Sequence, residues 1–354
     1  MLSFHPRLLD KLRFTQDDVA ALRALGESLG KQELYVKQRP ETLEGLRTVA
    51  VIESTDSSNR LEGIRAPESR IKALVQNRAE PQNRSEQEIA GYRDALELIH
   101  QSGETMEVAV NVIKQLHQRL YTYMPEEGGN WKPVDNDIVE KDPNGNIIRI
   151  RFKAVPAIQV QQAMDDLIAG FQRAIADGRD WMVIIPLFIL DFLCIHPFRD
   201  GNGRISRLLT TQLLYHAGYQ VGRYISLERL FEKSHSSYYD TLEASSHGWH
   251  NSEHDVWPWM RYFWGILISA YKEFEERVGS VEGGRGSKSQ RIREAVHRKV
   301  VPFKVTELER DVPDVSRDTI RKVLREMSQE GLVRAKGRGP GARWMLLSTQ
   351  TPSS

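Results

Sequence analysis

As far as Val278, apolar residues recur mostly at spacings of three and four, the mark of amphipathic helices. The segments TQDDVAALRALGESLGKQEL, ETLEGLRTVAVIEST, SEQEIAGYRDALELIHQS, EVAVNVIKQLHQRLYTYM, IQVQQAMDDLIAGFQRAIADG and ISRLLTTQLLYHAG all carry this period. WMVIIPLFILDFLCIH is apolar throughout and reads as a buried helix of the same bundle. One region breaks the pattern. WKPVDNDIVEKDPNGNIIRIRFKAVP alternates polar and apolar positions around DPNGN, a strong turn signal. It predicts a two-stranded hairpin, one strand near Asn136–Glu140 and the other near Ile147–Lys153. A lone hairpin is marginal in water, so this one is expected to lean on the helical body, as decoration or as a flap over a site.

Beyond Val278 the pattern changes again. GSVEGGRGSKSQ has no large apolar residue except one valine and reads as a linker. QRIREAVHRKV, KVTELERDVP and DVSRDTIRKVLREMSQEG then predict helix, short helix and helix, and LVRAKGRGPGARWMLL predicts a short hairpin with a basic, glycine-rich tip. Ser316 or Asp314 can cap the helix Arg317–Gln329, and Gly331 can end it. This order is the pattern of a winged helix-turn-helix. The expected fold class is therefore mostly α: a helical bundle core with a β-hairpin flap, plus a small C-terminal winged helix-turn-helix domain.

Composition adds bounds. A chain of 354 residues, 40% hydrophobic and 27% charged, is expected to fold as two or three soluble domains. No apolar run approaches the roughly 20 residues that span a bilayer, and MLSFHPRLLDKLRF lacks the apolar core of a signal peptide. The single cysteine, Cys194, leaves no intramolecular disulfide and reads as a small buried hydrophobe, so a cytoplasmic location is expected. Net charge is +1, but Lys288–Arg343 holds fifteen Lys and Arg against eight Asp and Glu. A basic winged helix can bind DNA, with Arg317, Arg321, Lys322 and Arg325 on the recognition helix and Arg338 and Arg343 on the wing. It can equally serve to dock a protein or position a dimer.

The densest chemistry lies in CIHPFRDGNGRISRLLTTQLL, from Cys194 to Leu214. Consecutive Asp, Gly and Asn cannot sustain a helix, whereas GRISRLLTTQLL starts one. A glycine-containing loop feeding a helix N-terminus offers unpaired backbone N–H groups beside the positive end of the helix dipole, an anion site. Gly201 and Gly203 allow close approach, Asn202 adds a neutral donor, and Arg204 and Arg207 lie three apart on one helical face. Asp200 repels phosphate but suits Mg²⁺, which takes one carboxylate together with phosphate oxygens and waters. His196, at the end of the apolar helix, can act as general base toward a hydroxyl. Phe198 reads as a core anchor for the loop.

HPFRDGNGRISR resembles the signature of the Fic family, H-x-F-x-D/E-G-N-G-R-x-x-R, with every fixed position filled. The resemblance implies a helical core and transfer of AMP from ATP to a hydroxyl side chain of a target protein. His196 would deprotonate the target Tyr, Ser or Thr. Asp200 would hold Mg²⁺ on the α- and β-phosphates. Gly201, Asn202 and Gly203 would cradle the phosphates, and Arg204 and Arg207 would stabilise the departing pyrophosphate. The hairpin would be a target-docking flap that acts by strand addition, with Ile150, Arg151, Phe152 and Lys153 on its docking strand. SYYDTLEAS resembles the segment that lines the nucleotide base, placing Tyr238 and Tyr239 at adenine and ribose. These tyrosines can also simply pack the last core helices.

SSNRLEGIR resembles the family's inhibitory motif, S/T-x-x-x-E-G/N, with Ser58, Glu62 and Gly63 matching. Residues four apart share a helix face, and a Glu62 carboxylate set against Arg207 would form a bidentate pair that blocks productive ATP binding. In some relatives the same glutamate supports removal of AMP. The resemblance divides the chain into an N-terminal helical region with the inhibitory motif (1–95), a Fic catalytic core (96–278), a linker (279–289) and the winged helix (290–348). The leading expectation is an autoinhibited protein adenylyltransferase with ATP as substrate and Mg²⁺ as cofactor. Its expected partners are a hydroxyl-bearing target protein, itself as a target, DNA through the winged helix and a second copy in a homodimer, with no membrane. Other expectations are transfer of UMP, phosphocholine or phosphate, and a DNA-binding transcriptional regulator with a nucleotide-sensing core.

Overall fold

The computed structural model describes every residue except 1–2, 39, 142–145, 280–287, 298, 300–301, 313–314, 338–341 and 348–354. Most of the expected linker, the DPNG turn, Asp314 and Arg338 therefore lie outside the described residues. The helices are α1 (Pro6–Leu9), α2 (Gln16–Gln38), α3 (Pro40–Leu61), α4 (Glu68–Val75), α5 (Arg84–Ser102), α6 (Val110–Leu120), α7 (Val160–Ala176), α8 (Trp181–Ile195), α9 (Asn202–His216), α10 (Leu227–Lys233), α11 (His235–Ser246), α12 (Trp257–Gly279), α13 (Lys288–His297), α14 (Val305–Asp311) and α15 (Arg317–Gln329). The strands are β1 (Ile138–Lys141), β2 (Ile147–Phe152), β3 (Phe303–Lys304), β4 (Val333–Lys336) and β5 (Arg343–Leu346). The fold is mostly helical, as the hydrophobic period requires. Among the described residues, no helix is long and apolar enough to cross a membrane.

Two compact units form, Met1–Pro40 with Ala50–Lys272, and Glu41–Val49 with Glu273–Ser354. In the first, α8 runs through the middle. Asp180 caps it by accepting from Met182 N, and nearly every residue from Met182 to Ile195 is buried. A helix apolar on all sides has no solvent face, so neighbours must enclose it. α7, α9 and α11 pack around it, and α12 adds two tryptophans whose indoles donate to α8 carbonyls: Trp259 to Pro186 and Trp264 to Met182. α5 starts at Asn83, whose side chain accepts from Glu86 N, and packs on α6 and α9.

β1 and β2 pair antiparallel, with Ile138 opposite Phe152 and Glu140 opposite Arg149, and the register shifts at both ends of Val139–Glu140. Arg149 and Arg151 of β2 pair with Glu140 of β1 and with Glu243 of α11, tying the hairpin to the helical body. In the second unit α13, α14 and α15 surround a buried core of Ile292, Phe303, Leu308, Ile320, Leu324 and Val333. Ser316 caps α15 through Thr319 N. The sheet there has three strands in the order β3-β5-β4, one more than the sequence period indicates, because β3 is only two residues long.

Candidate active site

The loop between α8 and α9 carries the polar residues that interrupt the apolar sequence. His196 is the residue after the last turn of α8 and has a left-handed backbone, φ 52° and ψ 59°. That conformation is uncommon outside glycine, although Asn, Asp and His adopt it more readily than other residues. His196 Nδ1 is buried with no hydrogen-bond partner among the described residues. Burial, followed by the positive charge of Lys132, lowers the imidazole pKa to about 4. Phe198 is fully buried and stacks on His117 at 3.8 Å between ring centroids.

Gly201 has φ +83° and caps α9, and an added Cβ would sit 3.1 Å from Leu120 Cδ2. The side chain of Asn202 accepts from Phe198 N and donates to Phe198 O, so it closes the loop on itself instead of projecting a free amide. Arg204, 1% exposed, donates to Glu88 at 2.7 Å and to Asp200 at 3.1 Å. It lies within an ion-pair network that holds Asp200. Tyr121 OH also donates to Asp200 Oδ2. The Asp200 side chain is otherwise open, 62% exposed.

Arg207 is buried at 2% and faces the end of α3. Its Nε donates to Ser58 Oγ at 2.8 Å, and its Nη2 donates to Ser58 O at 2.9 Å and to Glu62 Oε1 at 2.8 Å. The expected bidentate carboxylate pair is therefore replaced. Ser58 takes one bond from each of two guanidinium nitrogens, and Glu62 is bonded by Nη2 alone. One helical turn separates Ser58 from Glu62, so both reach the same guanidinium. Burial opposes the charge on Arg207, but Glu62 and then Tyr238 and Tyr92 outweigh it and raise its pKa. Glu62 Oε1 also lies so close to the start of α9 that a Cβ on Gly203 would be 2.2 Å away. Gly63 follows, its N–H donating to Arg60 O as α3 ends.

Beside this contact is a cavity of about 190 Å³. Glu62, Gly203, Arg207 and His196 form its polar wall, Tyr238 and Tyr239 its side, and Ile138, Arg151 and Phe152 of the hairpin its roof. Tyr238 is buried, and Tyr239 OH donates to Leu61 O. Burial raises the pKa of both phenols and keeps them neutral. Cys194 also lines the cavity, and burial holds its thiol protonated. Ile150 is about half exposed, while Phe152 stacks on His250, whose ring meets Lys153 O at 2.8 Å.

The structure brings together His196, Gly203, Arg207, Ser58, Glu62, Tyr238 and Tyr239, and places Asp200 at the loop's outer edge. Sequence reasoning missed His117, Tyr121, Glu88, Lys132, Asn136 and Glu243. The available signal was weak: His117 and Tyr121 sit four apart in LHQRLY, a spacing shared by many helices. Among the described residues, no group of three His, Cys, Asp or Glu that could hold a metal is assembled. A lone open carboxylate suits a cation that takes its other ligands from phosphate and water, which is the habit of Mg²⁺.

Residues 107–214 match the Fic/DOC family model. A segment of 69 residues, 19% of the chain, is 41% identical to the protein adenylyltransferase Fic of Aedes aegypti and equally to that of Culex quinquefasciatus. The chain spans only 11% of the length of those relatives. Among solved structures, the chain is similar to a Fic family protein from Desulfovibrio desulfuricans G20 (TM-score 0.61, 19% identity, 96% of this chain and 99% of that one). A Fic domain containing signaling protein from Bacteroides thetaiotaomicron VPI-5482 gives 0.60 and 19%, over 72% of this chain and 96% of that one. Fic-1 from C. elegans, residues 134–508, gives 0.58 and 17%, over 75% of this chain and 73% of that one.

Proposed function

We propose that this chain, which carries a Fic/DOC domain over residues 107–214, transfers AMP from ATP to a hydroxyl group of a protein. The carrying observation is the convergence of a buried neutral His196, the α9 N-terminus and Arg207 on one cavity walled by two tyrosines. Neutral His196 takes the proton of the target hydroxyl as its oxygen attacks the α-phosphorus. The new O–P bond forms as the bond to the bridging oxygen of the β-phosphate breaks, and pyrophosphate leaves. Backbone N–H groups at the start of α9 and the guanidinium of Arg207 face the developing charge. Asp200, oriented by Arg204 and Tyr121, would hold Mg²⁺, which when bound neutralises phosphate oxygens. The purine would lie against Tyr238 and Tyr239. The hairpin, with Ile147, Ile148 and Ile150 exposed, offers an edge to a target segment.

Glu62 and Ser58 hold the arginine that ATP needs, so the state described is the inhibited one. With Glu62 in place the cavity is below the roughly 300–1,000 Å³ usual for ligand sites. The test is incubation with ATP labelled at the α-phosphate. Glu62→Gly should label itself or a target strongly, and Glu62→Gly with His196→Ala should not. Labelling that survives the loss of His196 would sink the mechanism.

A second reading concerns the C-terminal unit. α15 buries Ile320, Val323, Leu324 and Met327 and exposes Arg317, Arg321, Lys322 and Arg325. We infer a winged helix that binds duplex DNA through this cationic face. Gel retardation of the full chain should disappear in the Arg321→Glu, Arg325→Glu double variant. Retention of the shift would show that the face does not bind DNA.

A further inference from the structure

The loop 197–201 is gripped by its carbonyls. Pro197 O accepts from Lys132 N at 2.9 Å. Phe198 O accepts from Asn136 Nδ2 at 3.1 Å and from Asn202 Nδ2 at 2.8 Å. The same Asn136 Nδ2 reaches Arg199 O at 3.2 Å. Asp200 O meets His117 Nε2 at 3.0 Å, and Gly201 O accepts from Ile205 N as α9 begins. Five successive carbonyls are thus held. By contrast, the backbone N–H groups of residues 199–203 have no acceptor among the described residues.

The tautomer of His117 follows from its partners. Its Nδ1 accepts from Gly129 N at 2.8 Å, and a backbone amide can only donate. Nε2 therefore carries the proton and donates to Asp200 O. The ring is locked by stacking on Phe198 at 3.8 Å and on Tyr121 at 4.6 Å. Asn136 is similarly defined, because two carbonyls can be met only by its amide nitrogen.

A trans peptide unit sets its C=O and N–H on opposite sides. The bonded carbonyls of 198–201 share their peptide units with the N–H groups of 199–202, so fixing the carbonyls turns those N–H groups the other way, the side on which phosphates would lie. We propose that His117 and Asn136 are positioning residues: they set the catalytic loop so that its amides form a ready-made anion cradle. This rests on the reading of the loop as the phosphate site of an AMP-transferring enzyme. Neither side chain lines the cavity. Their contribution is preorganisation, which spares the loop from ordering when ATP arrives.

The test uses the full chain with Glu62→Gly as background, and adds Asn136→Ala or His117→Phe. His117→Phe keeps the stacked ring and removes both hydrogen bonds. Calorimetry would measure binding of ATP, inorganic pyrophosphate and adenosine, alongside AMP transfer. Both variants should weaken ATP and pyrophosphate by about tenfold, the scale of a lost buried hydrogen bond, while adenosine affinity stays unchanged. Equal loss for all three ligands would indicate general damage to the fold and overturn the proposal. Unchanged ATP and pyrophosphate binding would overturn it as well. If Glu62→Gly binds ATP but transfers no AMP, the functional reading fails, and the pyrophosphate comparison still decides the role of the loop.

Discussion

Gly203 is where the Glu62 carboxylate and the start of α9 come closest, and it has no side chain to spare. A methyl group there would meet Glu62 Oε1 at 2.2 Å. Glu62 Oε1 ends a flexible side chain, so Gly203→Ala should push the carboxylate off Arg207 and destabilise the chain by about 1 kcal/mol, the scale of the hydrogen bond lost. The same change should be nearly neutral beside Glu62→Gly, so a double-mutant cycle by urea unfolding should show strong coupling. His196 carries a second prediction. Its folded pKa is lowered to about 4, below the ordinary 6.5. The neutral base is thus present down to about that pH, and stability is lost as pH falls from 6.5 through 4. Glu62 raises the imidazole pKa, so in Glu62→Gly the acid limb of kcat/KM should lie at or below about 4, and a limb at 6.5 would contradict this environment. At this scale the sequence shows His196, Asp200, Gly203 and Arg207 because they share one contiguous stretch. It cannot show Glu88 or Asn136, which reach the loop only after folding, nor that Ser58 takes two of the three bonds of Arg207.

Among the elements, most long periodic helices were legible, but α12, 23 residues long, was not among the expected segments. Of the short helices, α14 was expected while α4 and α10 were not. α4 spans eight residues, two turns, too few for a period to stand out. β2 falls within the expected Ile147–Lys153, while β1 starts two residues later and ends one residue later than the expected Asn136–Glu140, and the register shifts were not legible. Arg149 and Arg151 lean on Glu243, whose side chain is 16% exposed, and this pulls β2 toward α11. Surface ion pairs contribute only about 0.2–1 kcal/mol each. Glu243→Gln should therefore loosen the hairpin without unfolding the bundle. Limited proteolysis mapped by mass spectrometry should show cleavage within 138–152 rising several-fold. No change in cleavage would mean that packing of Phe152 on His250 suffices to hold the strand.

Across the whole molecule, charge and burial are unevenly shared. Asp191 in α8 is fully buried, where it accepts from Trp249 Nε1 at 2.6 Å and from Ser3 Oγ, which also meets His254 Nε2. Burial raises the Asp191 pKa to about 6. A raised carboxyl pKa stabilises the fold fully below about 3.8, and that contribution is lost as pH rises through 6. Asp191→Asn removes the titration, so it should gain about 2–3 kcal/mol on the wild type between pH 4 and pH 8 in urea unfolding. Parallel pH dependence of the two proteins would count against it. The sequence could not disclose this group, because nothing in LFILDFLC names the residues that surround it. The bonded carbonyls of the loop 197–201 have one more consequence, in the language of hydrogen exchange. A map of the whole chain should find residues 199–203 exchanging fast between α8 and α9, two of its most buried helices. Those amides have no acceptor among the described residues, so they should become slow as soon as ATP binds Glu62→Gly. Order without protection is the mark of a site already shaped for its ligand.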